Sequence, residues 1–347
     1  MSHPLATPPH TDPGPILRYR DRQYAAELIA TALLHFDLFS WLDEHPGSDT
    51  ATLCAHFQLA PRPADVLLTL CRANGFLVTD PADRHLLTPL AREHLVRSSP
   101  WYLGPYYTPI RDTPIVQGYL RVLRSGKPAQ WQAKEDGQDW HASMLSEEFA
   151  RGFTELMNSR GRALGQALAR VIAPALRART HVLDVGGGSG IYAATLVAAH
   201  PHLRATILEL PPVDRIAREQ IAQHDLADHI EVVAGDMFRD PWPAHADTVL
   251  LSNVLHDWDE PEVATLLSKA AAALRPGGLL VIHEAFLEDS KSGPLPVAEY
   301  SALLMSITQG KCYSAAEYGR LLGPLGFDVG PCQPTIADRG VMIAVRK

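Results

Sequence analysis

The chain has 347 residues, of which 46% are hydrophobic and 20% charged, and 31 Lys and Arg against 39 Asp and Glu give a formal charge of −8. This composition excludes a disordered or collagen-like polymer and predicts about two globular domains. An acidic chain is a poor candidate for binding a nucleic-acid backbone, no apolar run reaches the roughly 18 residues of a membrane span, and the N-terminus lacks a signal-peptide pattern.

The cysteines give no sign of a covalent framework. Cys54, Cys71, Cys312 and Cys332 lie far apart and form no C-x-x-C pair. This spacing is typical of neither a disulfide-rich domain nor a zinc site, and it agrees with a reducing compartment. We therefore expect a soluble cytoplasmic protein with no membrane or nucleic-acid partner.

The first hundred residues predict a tail and a small helical domain. Residues 1–15 are rich in proline and lack periodicity, so we expect them to form a disordered tail. Residues 16–100 predict three helices and a β-hairpin, which is the element order of a winged-helix domain. The expected helices are Ala25–Leu34 with a continuation over Phe36–Leu42, a short helix capped by Asp49 or Thr50, and Pro63–Ala73; the expected strands are Phe76–Val78 and His85–Thr88.

Winged helices often bind DNA through the third helix, so this alternative needs weighing. The third helix here has only Arg62 and Arg72 as cations, together with Asp65, and most of its other residues are apolar. A helix of this kind packs better than it follows phosphates. We therefore favour a role in dimerisation or as a substrate lid.

Residues 101–179 predict a helical bridge, which we interpret as a substrate lid. An aromatic cluster in this stretch could line a pocket for a planar acceptor, or it could simply pack between domains. Its members are Trp101, Tyr102, Tyr106, Tyr107, Trp131 and Trp140, with Met157 nearby.

Residues 180–347 predict a doubly wound parallel α/β sheet, because short apolar runs alternate with amphipathic helices. The expected strands are Val182–Val185, Ala205–Leu210, Ile230–Val233, Thr248–Asn253 and Leu279–Phe286, followed by a terminal hairpin of Phe327–Val329 and Val341–Lys347. The expected helices are Tyr192–Ala199, Val213–His224, Pro261–Leu274 and Ser314–Leu322. We expect Gly277 and Gly278 to end the helix Pro261–Leu274.

A glycine-rich turn follows the first of these strands. Asp184 precedes Gly186 by two residues, and the spacing Gly186, Gly188, Gly190 is G-x-G-x-G. A dinucleotide fingerprint would need glycine where this chain has Ile191, and no P-loop sequence is present. The turn suits a ligand without phosphates whose cationic amino-acid portion lies against it, as in S-adenosylmethionine (SAM). Tight packing without a ligand remains the alternative.

Two further acids follow the next strands. Glu209 ends the second strand, where a carboxylate can accept hydrogen bonds from ribose hydroxyls. Asp236 follows the third strand and could accept from an adenine amino group, while Met237 and Phe238 could cover the ring. Because open α/β sheets bind ligands at the carboxyl ends of their strands, three acids in these places favour a cofactor site.

These residues resemble the SAM-dependent small-molecule O-methyltransferases, the family of plant caffeate and flavonoid enzymes, acetylserotonin methyltransferase and bacterial antibiotic-pathway relatives. The resemblance covers nearly the whole chain beyond the tail. The matching stretches are LDVGGGSG (183–190), LELPPV (208–213), GDMF (235–238), LSNVLHDWDE (251–260) and GGLLVIHEAF (277–286).

The resemblance implies a class I SAM-methyltransferase fold: a Rossmann-like sheet of seven strands, the last antiparallel, with an N-terminal winged-helix domain that forms a homodimer. It implies methyl transfer from SAM to a hydroxyl of a small aromatic secondary metabolite. His256 would be the general base and Glu284 its supporting carboxylate. The other contacts that it implies are Glu209 with the ribose, Asp236 and Met237 with adenine, and Met157 with the substrate.

The chain departs from the plant members at two positions. Ser252 stands where they have a lysine near the cofactor, and a hydroxyl or the backbone can still contact SAM there. Cys312 stands where they have a second acid near the base, so His256 would be held by Glu284 alone. Because of these departures, the resemblance does not identify the acceptor molecule.

Other chemistries need weighing beside O-methylation. His256-Asp257 and His283-Glu284 are both His–acid pairs, but adjacent strand residues point to opposite faces, so we expect no metal. The acceptor atom could be nitrogen or carbon instead of oxygen. A protein of this fold could also bind SAM and direct a reaction that transfers no methyl group.

Overall fold

The computed structural model describes residues 3–128 and 143–347. Contacts divide the chain into two units: Met1–Arg18, His141–Phe286 and Ala315–Lys347 form the sheet unit, and Tyr19–Trp140 and Leu287–Ser314 form the helical unit. This division differs from the consecutive segments 1–15, 16–100, 101–179 and 180–347 expected from the sequence, because the chain enters and leaves the sheet unit more than once.

The elements of the described residues are as follows. The strands are β1 (Ser48–Asp49), β2 (Leu77–Thr79), β3 (Arg84–Leu87), β4 (His181–Val185), β5 (Arg204–Glu209), β6 (Ile230–Ala234), β7 (Thr248–Ser252), β8 (Leu279–Glu284), β9 (Phe327–Val329), β10 (Gln333–Pro334) and β11 (Gly340–Arg346). The helices are α1 (Gly14–Asp21), α2 (Ala25–Leu34), α3 (Leu38–Glu44), α4 (Thr50–Phe57), α5 (Pro61–Ala73), α6 (Pro89–His94), α7 (Gly104–Tyr107), α8 (Pro114–Ser125), α9 (Glu147–Leu176), α10 (Ile191–Ala199), α11 (Val213–Gln223), α12 (Glu260–Ala273), α13 (Leu295–Ile307) and α14 (Ala315–Leu322), with 3-10 turns at Pro4–Ala6, Thr108–Ile110 and Leu255–Asp257.

The helical unit combines helices with a three-stranded sheet in the order β1-β3-β2. The hairpin β2–β3 is antiparallel, as the sequence predicts. Asp49 caps α4 by accepting a hydrogen bond from the Thr52 backbone N–H at 2.7 Å. The expected continuation of α2 over 36–42 is wrong, because Asp37 adopts a left-handed φ of 49° and separates α2 from α3.

Helix α13, which the sequence analysis does not predict, lies in the helical unit although it follows β8 in the chain. It packs against α5 and α2. Its residues Val297–Ala298 and Tyr300–Ile307 are all buried. A helix buried on every side shows no amphipathic period, so the pattern that predicts surface helices does not find it.

The sheet unit contains the large sheet, in the order β10-β11-β8-β7-β4-β5-β6, with β9 paired to β11. Its core strands are parallel, and β11 is antiparallel to β8, as expected for the last strand. Counted over the described residues, the sheet has eight strands rather than the expected seven. The addition is the two-residue strand β10, which pairs with the first residues of β11.

Two further expectations about this unit are wrong. Residues 3–7 do not belong to a disordered tail: Pro4–Ala6 is a 3-10 turn and Leu5 is fully buried. Gly277 and Gly278 do not end α12, which stops at Ala273. They form the turn into β8 instead, where the Gly277 N–H donates to the Arg346 carbonyl at 2.7 Å.

No single helix among the described residues is long and apolar enough to cross a membrane. The bent pair Gly14–Leu34 and Leu38–Glu44 passes such a test by length and composition only. Its central helix α2 is largely buried within the protein.

Candidate active site

The glycine turn between β4 and α10 contains three residues in the left-handed region. Gly186, Gly188 and Gly190 have φ angles of 65°, 58° and 76°, which L side chains rarely adopt. A Cβ on Gly190 would lie 2.4 Å from the Ile207 Cδ1, so this glycine allows α10 to approach β5. A Cβ on Gly188 would meet nothing within 4 Å. The space beside Gly188 is therefore open.

Asp184, near the end of β4, is a buried carboxyl group with little internal compensation. Its Oδ2 accepts a hydrogen bond from the Ala193 backbone N–H at 3.3 Å, while its buried Oδ1 has no hydrogen-bond partner among the described residues. Burial raises the pKa of Asp184 to about 7, and the nearby Glu209 contributes in the same direction. A cationic group bound at the turn would compensate this carboxylate, so the site fits the amino-acid portion of SAM.

Glu209, at the end of β5, contacts the turn directly. Its Oε2 accepts a hydrogen bond from the Gly188 N–H, and its Oε1 accepts one from the Leu210 N–H, both at 2.8 Å. The side chain is half-buried. These bonds fix the carboxylate beside the turn, and each carboxylate oxygen can accept more than one hydrogen bond. Glu209 is therefore placed where it could accept from ribose hydroxyls.

Asp236 and Met237 follow β6 in a tight turn. The Asp236 Oδ1 accepts from the backbone N–H groups of Phe238 at 2.8 Å and Arg239 at 3.3 Å. The Met237 Sδ would lie 3.5 Å from a Cβ on Gly186, which places Met237 beside the glycine turn. The structure thus brings the residues after β4, β5 and β6 to one edge of the sheet.

His256 and Glu284 form a buried pair at the same edge. His256 lies in the 3-10 turn after β7, and its Nδ1 is hydrogen-bonded to the Glu284 Oε2. The other carboxylate oxygen, Oε1, accepts from the backbone N–H groups of Val254 at 3.0 Å and Leu255 at 2.9 Å. An ionised Glu284 can only accept, so in that pairing the Nδ1 donates. The other ring nitrogen, Nε2, lies 3.7 Å from the Asp257 Oδ1.

Ser252 lies at the end of β7, but its hydroxyl is engaged inside the protein. It is hydrogen-bonded to the His283 Nδ1 at 2.8 Å and to the Asn253 Nδ2 at 3.2 Å. Burial, together with Arg339 and Arg160, lowers the pKa of His283 to about 3, so its ring is neutral. The contact expected between Ser252 and SAM, through the hydroxyl or the backbone, stays a prediction.

Sequence reasoning missed two residues that support the site. Asn253 has a φ of 54° and donates from Nδ2 to the Tyr192 hydroxyl at 3.0 Å, which connects β7 to α10. Asn158 accepts a hydrogen bond from the Ser189 hydroxyl in the glycine turn at 3.0 Å. An asparagine next to a strand end was visible in the sequence, but its left-handed backbone and its long-range partner were not.

The residues predicted to contact the substrate differ in their exposure. Met157 is half-buried on α9, directly before Asn158. Trp101 and Tyr106, in the helical unit, are 64% and 83% exposed. Trp131 and Trp140 lie outside the described residues. Cys312 is buried in the helical unit, where its backbone N–H donates to the Ser301 hydroxyl at 3.0 Å.

Within residues 3–128 and 143–347, no group of three His, Cys, Asp or Glu side chains is placed to hold a metal ion. His283 and Glu284 are adjacent on β8 and have separate partners, Ser252 and His256. Glu284 thus belongs with His256 and Asp257, whereas the His283 ring is held separately by Ser252.

Comparison with known proteins shows the family. A model of the O-methyltransferase domain matches residues 121–328. The chain belongs to the O-methyltransferase family. Its members use SAM, and this methyltransferase is accordingly a SAM-dependent enzyme. The 3-hydroxy-5-methyl-1-naphthoate 3-O-methyltransferase of Streptomyces sahachiroi is 32% identical to it, over 83% of this chain and 82% of the relative.

Two other proteins are similar to this methyltransferase. The crystal structure of an O-methyltransferase family 2 protein from Planctomyces limnophilus in complex with apigenin has 33% sequence identity and a TM-score of 0.88, and the match covers 100% of both chains. The aclacinomycin 10-hydroxylase of Streptomyces purpurascens is 38% identical over 49% of this chain and 45% of its own length. The family therefore includes a relative named for a reaction other than methylation.

Proposed function

We propose that this enzyme transfers the methyl group of SAM to a phenolic hydroxyl of a small planar aromatic molecule, with His256 as the general base. The observation that supports this most is the buried His256–Glu284 pair. It lies near the glycine turn, because Val254, which donates its N–H to Glu284, would be 3.3 Å from a Cβ on Gly186.

The cofactor site of this proposal is the edge formed by the ends of β4 to β7. Asp184 would compensate the cationic amino-acid portion of SAM, and Glu209 would accept from its ribose. The remaining contacts would come from Gly186, Gly188, Asp236, Met237 and the Ser252 backbone. Bound SAM supplies an electrophilic methyl group; the protein's task is to align the acceptor and remove its proton.

The base chemistry follows from how His256 is held. A phenol with a pKa of about 10 is a weak nucleophile at neutral pH, so a base must accept its proton during attack. The bond from Nδ1 to Glu284 orients the ring. In this proposal Nε2, which lies 3.7 Å from the Asp257 Oδ1, is the atom that accepts the proton. Glu284 is itself fixed by the N–H groups of Val254 and Leu255, and its charge stabilises the imidazolium that forms.

The acceptor class rests on two similar proteins. One acts on a hydroxylated naphthoate, and the other was crystallised with apigenin. Both compounds are planar aromatic molecules with phenolic hydroxyls. Met157, which we propose contacts the acceptor, is half-buried on α9 and suits the face of such a ring.

For the helical unit we propose a winged-helix dimerisation domain without a DNA-binding role. The cations of α5 have partners within this unit: the Arg62 Nη1 donates to the Gly310 carbonyl at 2.7 Å, and the Arg72 Nε donates to the Lys291 carbonyl at 3.0 Å. Asp65 lies on the same helix and binds Lys291 and Lys311. This face of α5 is therefore used for internal packing.

Incubation with methyl-labelled SAM and a panel of hydroxynaphthoates and hydroxyflavones tests the function. Label on a phenolic oxygen is the expected result, and label on nitrogen or carbon would redirect the proposal to those acceptors. The hydroxylase relative favours one further candidate, a SAM-dependent reaction without methyl transfer. SAM binding with an altered but unlabelled product would support that candidate instead.

A further inference from the structure

The N-terminal segment of residues 3–7 is anchored in the sheet unit by an apolar side chain. Leu5, in the 3-10 turn Pro4–Ala6, has no exposed surface. It belongs to the same buried cluster as Leu168 of α9 and Ile191 of α10. The turn itself contacts both helices. An isolated disordered tail would not bury a leucine in this way.

Polar contacts hold the same segment at both ends. The buried Gln166 Nε2 donates to the carbonyl groups of Leu5 and Thr7, each at 2.7 Å. The His3 Nδ1 accepts from the Leu5 N–H at 3.1 Å, which leaves its Nε2 to donate to the His224 carbonyl at 3.0 Å. These bonds satisfy backbone groups that the segment would otherwise bury without partners.

The helix that the segment contacts begins at the glycine turn. Helix α10 starts at Ile191, directly after Gly190, and its Ala193 N–H binds Asp184. Helix α9 also packs closely on it: a Cβ on Gly161 would lie 2.5 Å from the Ile191 Cγ2, and one on Gly165 would lie 3.0 Å from the Thr195 Oγ1. Helix α10 therefore packs against both α9 and the N-terminal segment.

We propose that residues 3–7 act as a strap that positions the glycine turn for SAM, with Leu5 and Gln166 as positioning residues. The strap fixes α10, and α10 fixes the turn and the partner of Asp184. Without the strap, fewer molecules would hold the turn in the binding conformation, and the apparent affinity for SAM would fall by that fraction. This inference rests on the proposed cofactor site.

Calorimetry with SAM and S-adenosylhomocysteine tests the strap in a variant that lacks residues 2–12. We expect about tenfold weaker binding if about a tenth of the molecules hold the turn correctly, with kcat at saturating SAM within about twofold of wild type. A synthetic peptide of residues 1–12 added in trans should restore the affinity. The same peptide with Leu5→Asp should not, and this rescue separates positioning from general stability.

Point variants cover the case in which the shortened chain does not fold. Leu5→Ala and Gln166→Ala should each weaken SAM binding, whereas Ile16→Ala, at a position that is 75% exposed, should not. Unchanged SAM affinity in folded strap variants would overturn the strap while leaving the cofactor site intact. If wild type itself bound no SAM, the cofactor site and the strap would both be wrong.

Discussion

Asp184 and Glu284 are both buried carboxyl groups near strand ends, but they differ in their hydrogen-bond partners. Glu284 accepts from the backbone N–H groups of Val254 and Leu255 and binds the His256 ring. Within the part of the chain that the structure describes, Asp184 has a long hydrogen bond to the Ala193 N–H and an Oδ1 without a partner. The described residues thus satisfy Glu284, whereas a charged Asp184 would be better compensated by a bound cation, as the proposed cofactor site supplies.

The raised pKa of Asp184 makes the stability of the ligand-free enzyme depend on pH. The folded pKa is about 7 against an ordinary value of 3.8, so the unfolded chain loses this proton first as pH rises. Stability associated with Asp184 is therefore full below pH 3.8 and is lost as pH rises to about 7. We expect Asp184→Asn to be more stable than wild type near pH 7, in urea unfolding without SAM.

The same variant should bind SAM more weakly, because the neutral amide cannot compensate a cation. An equal stability gain at pH 5 and pH 8 would contradict the titration of Asp184. Calorimetry of Asp184→Asn that showed wild-type SAM affinity would contradict its place in the site. Glu209→Gln is the comparison for the stability measurement: because Glu209 is only half-buried, its substitution should give a smaller gain in stability than Asp184→Asn.

At the residue scale, the sequence predicted the positions of the acids and of His256, and the resemblance implied the contact between His256 and Glu284 that the structure has, but the other connections were not predicted. Strand ends and motif spacing placed Asp184, Glu209 and His256 at one edge, since parallel strands end together. The bond that Glu209 accepts from the Gly188 N–H and the bond between Ser252 and His283 are visible only in the structure. Such contacts depend on which way a side chain turns at the end of a strand.

At the element scale, helix α5 joins distant parts of the helical unit through Asp65. Its Oδ2 accepts from the Lys291 Nζ at 2.8 Å and the Lys311 Nζ at 2.5 Å. Burial alone would raise the pKa of Asp65, but the two lysines outweigh it and lower the pKa to about 2. The segment 287–314 is thus attached to α5 by charge as well as by apolar packing.

Asp65→Asn should therefore destabilise the fold by about 2 kcal/mol at neutral pH, because two partly buried lysines lose their common partner. Since the folded pKa lies below the ordinary value of 3.8, the difference from wild type should shrink as pH falls from about 4 towards 2. Urea unfolding measures both effects. Asp43→Asn, which breaks the exposed pair with Arg92, is the matched control and should cost at most about 0.5 kcal/mol. Equal losses in the two variants would contradict the role of Asp65.

Sequence patterns predicted some of the helices and strands and missed others. The strands of the large sheet and helices such as α2 and α10 lie within a residue or two of the expected positions. Helix α13 was missed because it is buried all round, and the two-residue strand β10 is too short to show a pattern. The break at Asp37 depended on a left-handed residue that composition alone does not mark.

At the scale of the whole molecule, the proposed dimer predicts a particle of twice the chain mass of 38.0 kDa. The helical unit exposes Trp101 at 64%, Leu103 at 47% and Tyr106 at 83%, which an isolated subunit would leave in water. Light scattering at micromolar concentration should give the dimer mass, and Tyr106→Glu should lower it if this surface forms the interface. A mass of one chain for wild type would contradict the dimer.

The most direct test of the account is the pH dependence of methyl transfer by His256→Ala beside wild type, followed in single turnovers with labelled SAM and a hydroxynaphthoate. We predict unchanged SAM affinity, label on oxygen, and a rate near pH 7 that is about 10²–10⁴-fold lower than wild type. The residual rate should rise towards the phenol pKa of about 10, because a phenolate needs no base. Near-normal transfer by His256→Ala at neutral pH, or label on carbon or nitrogen, would contradict the account.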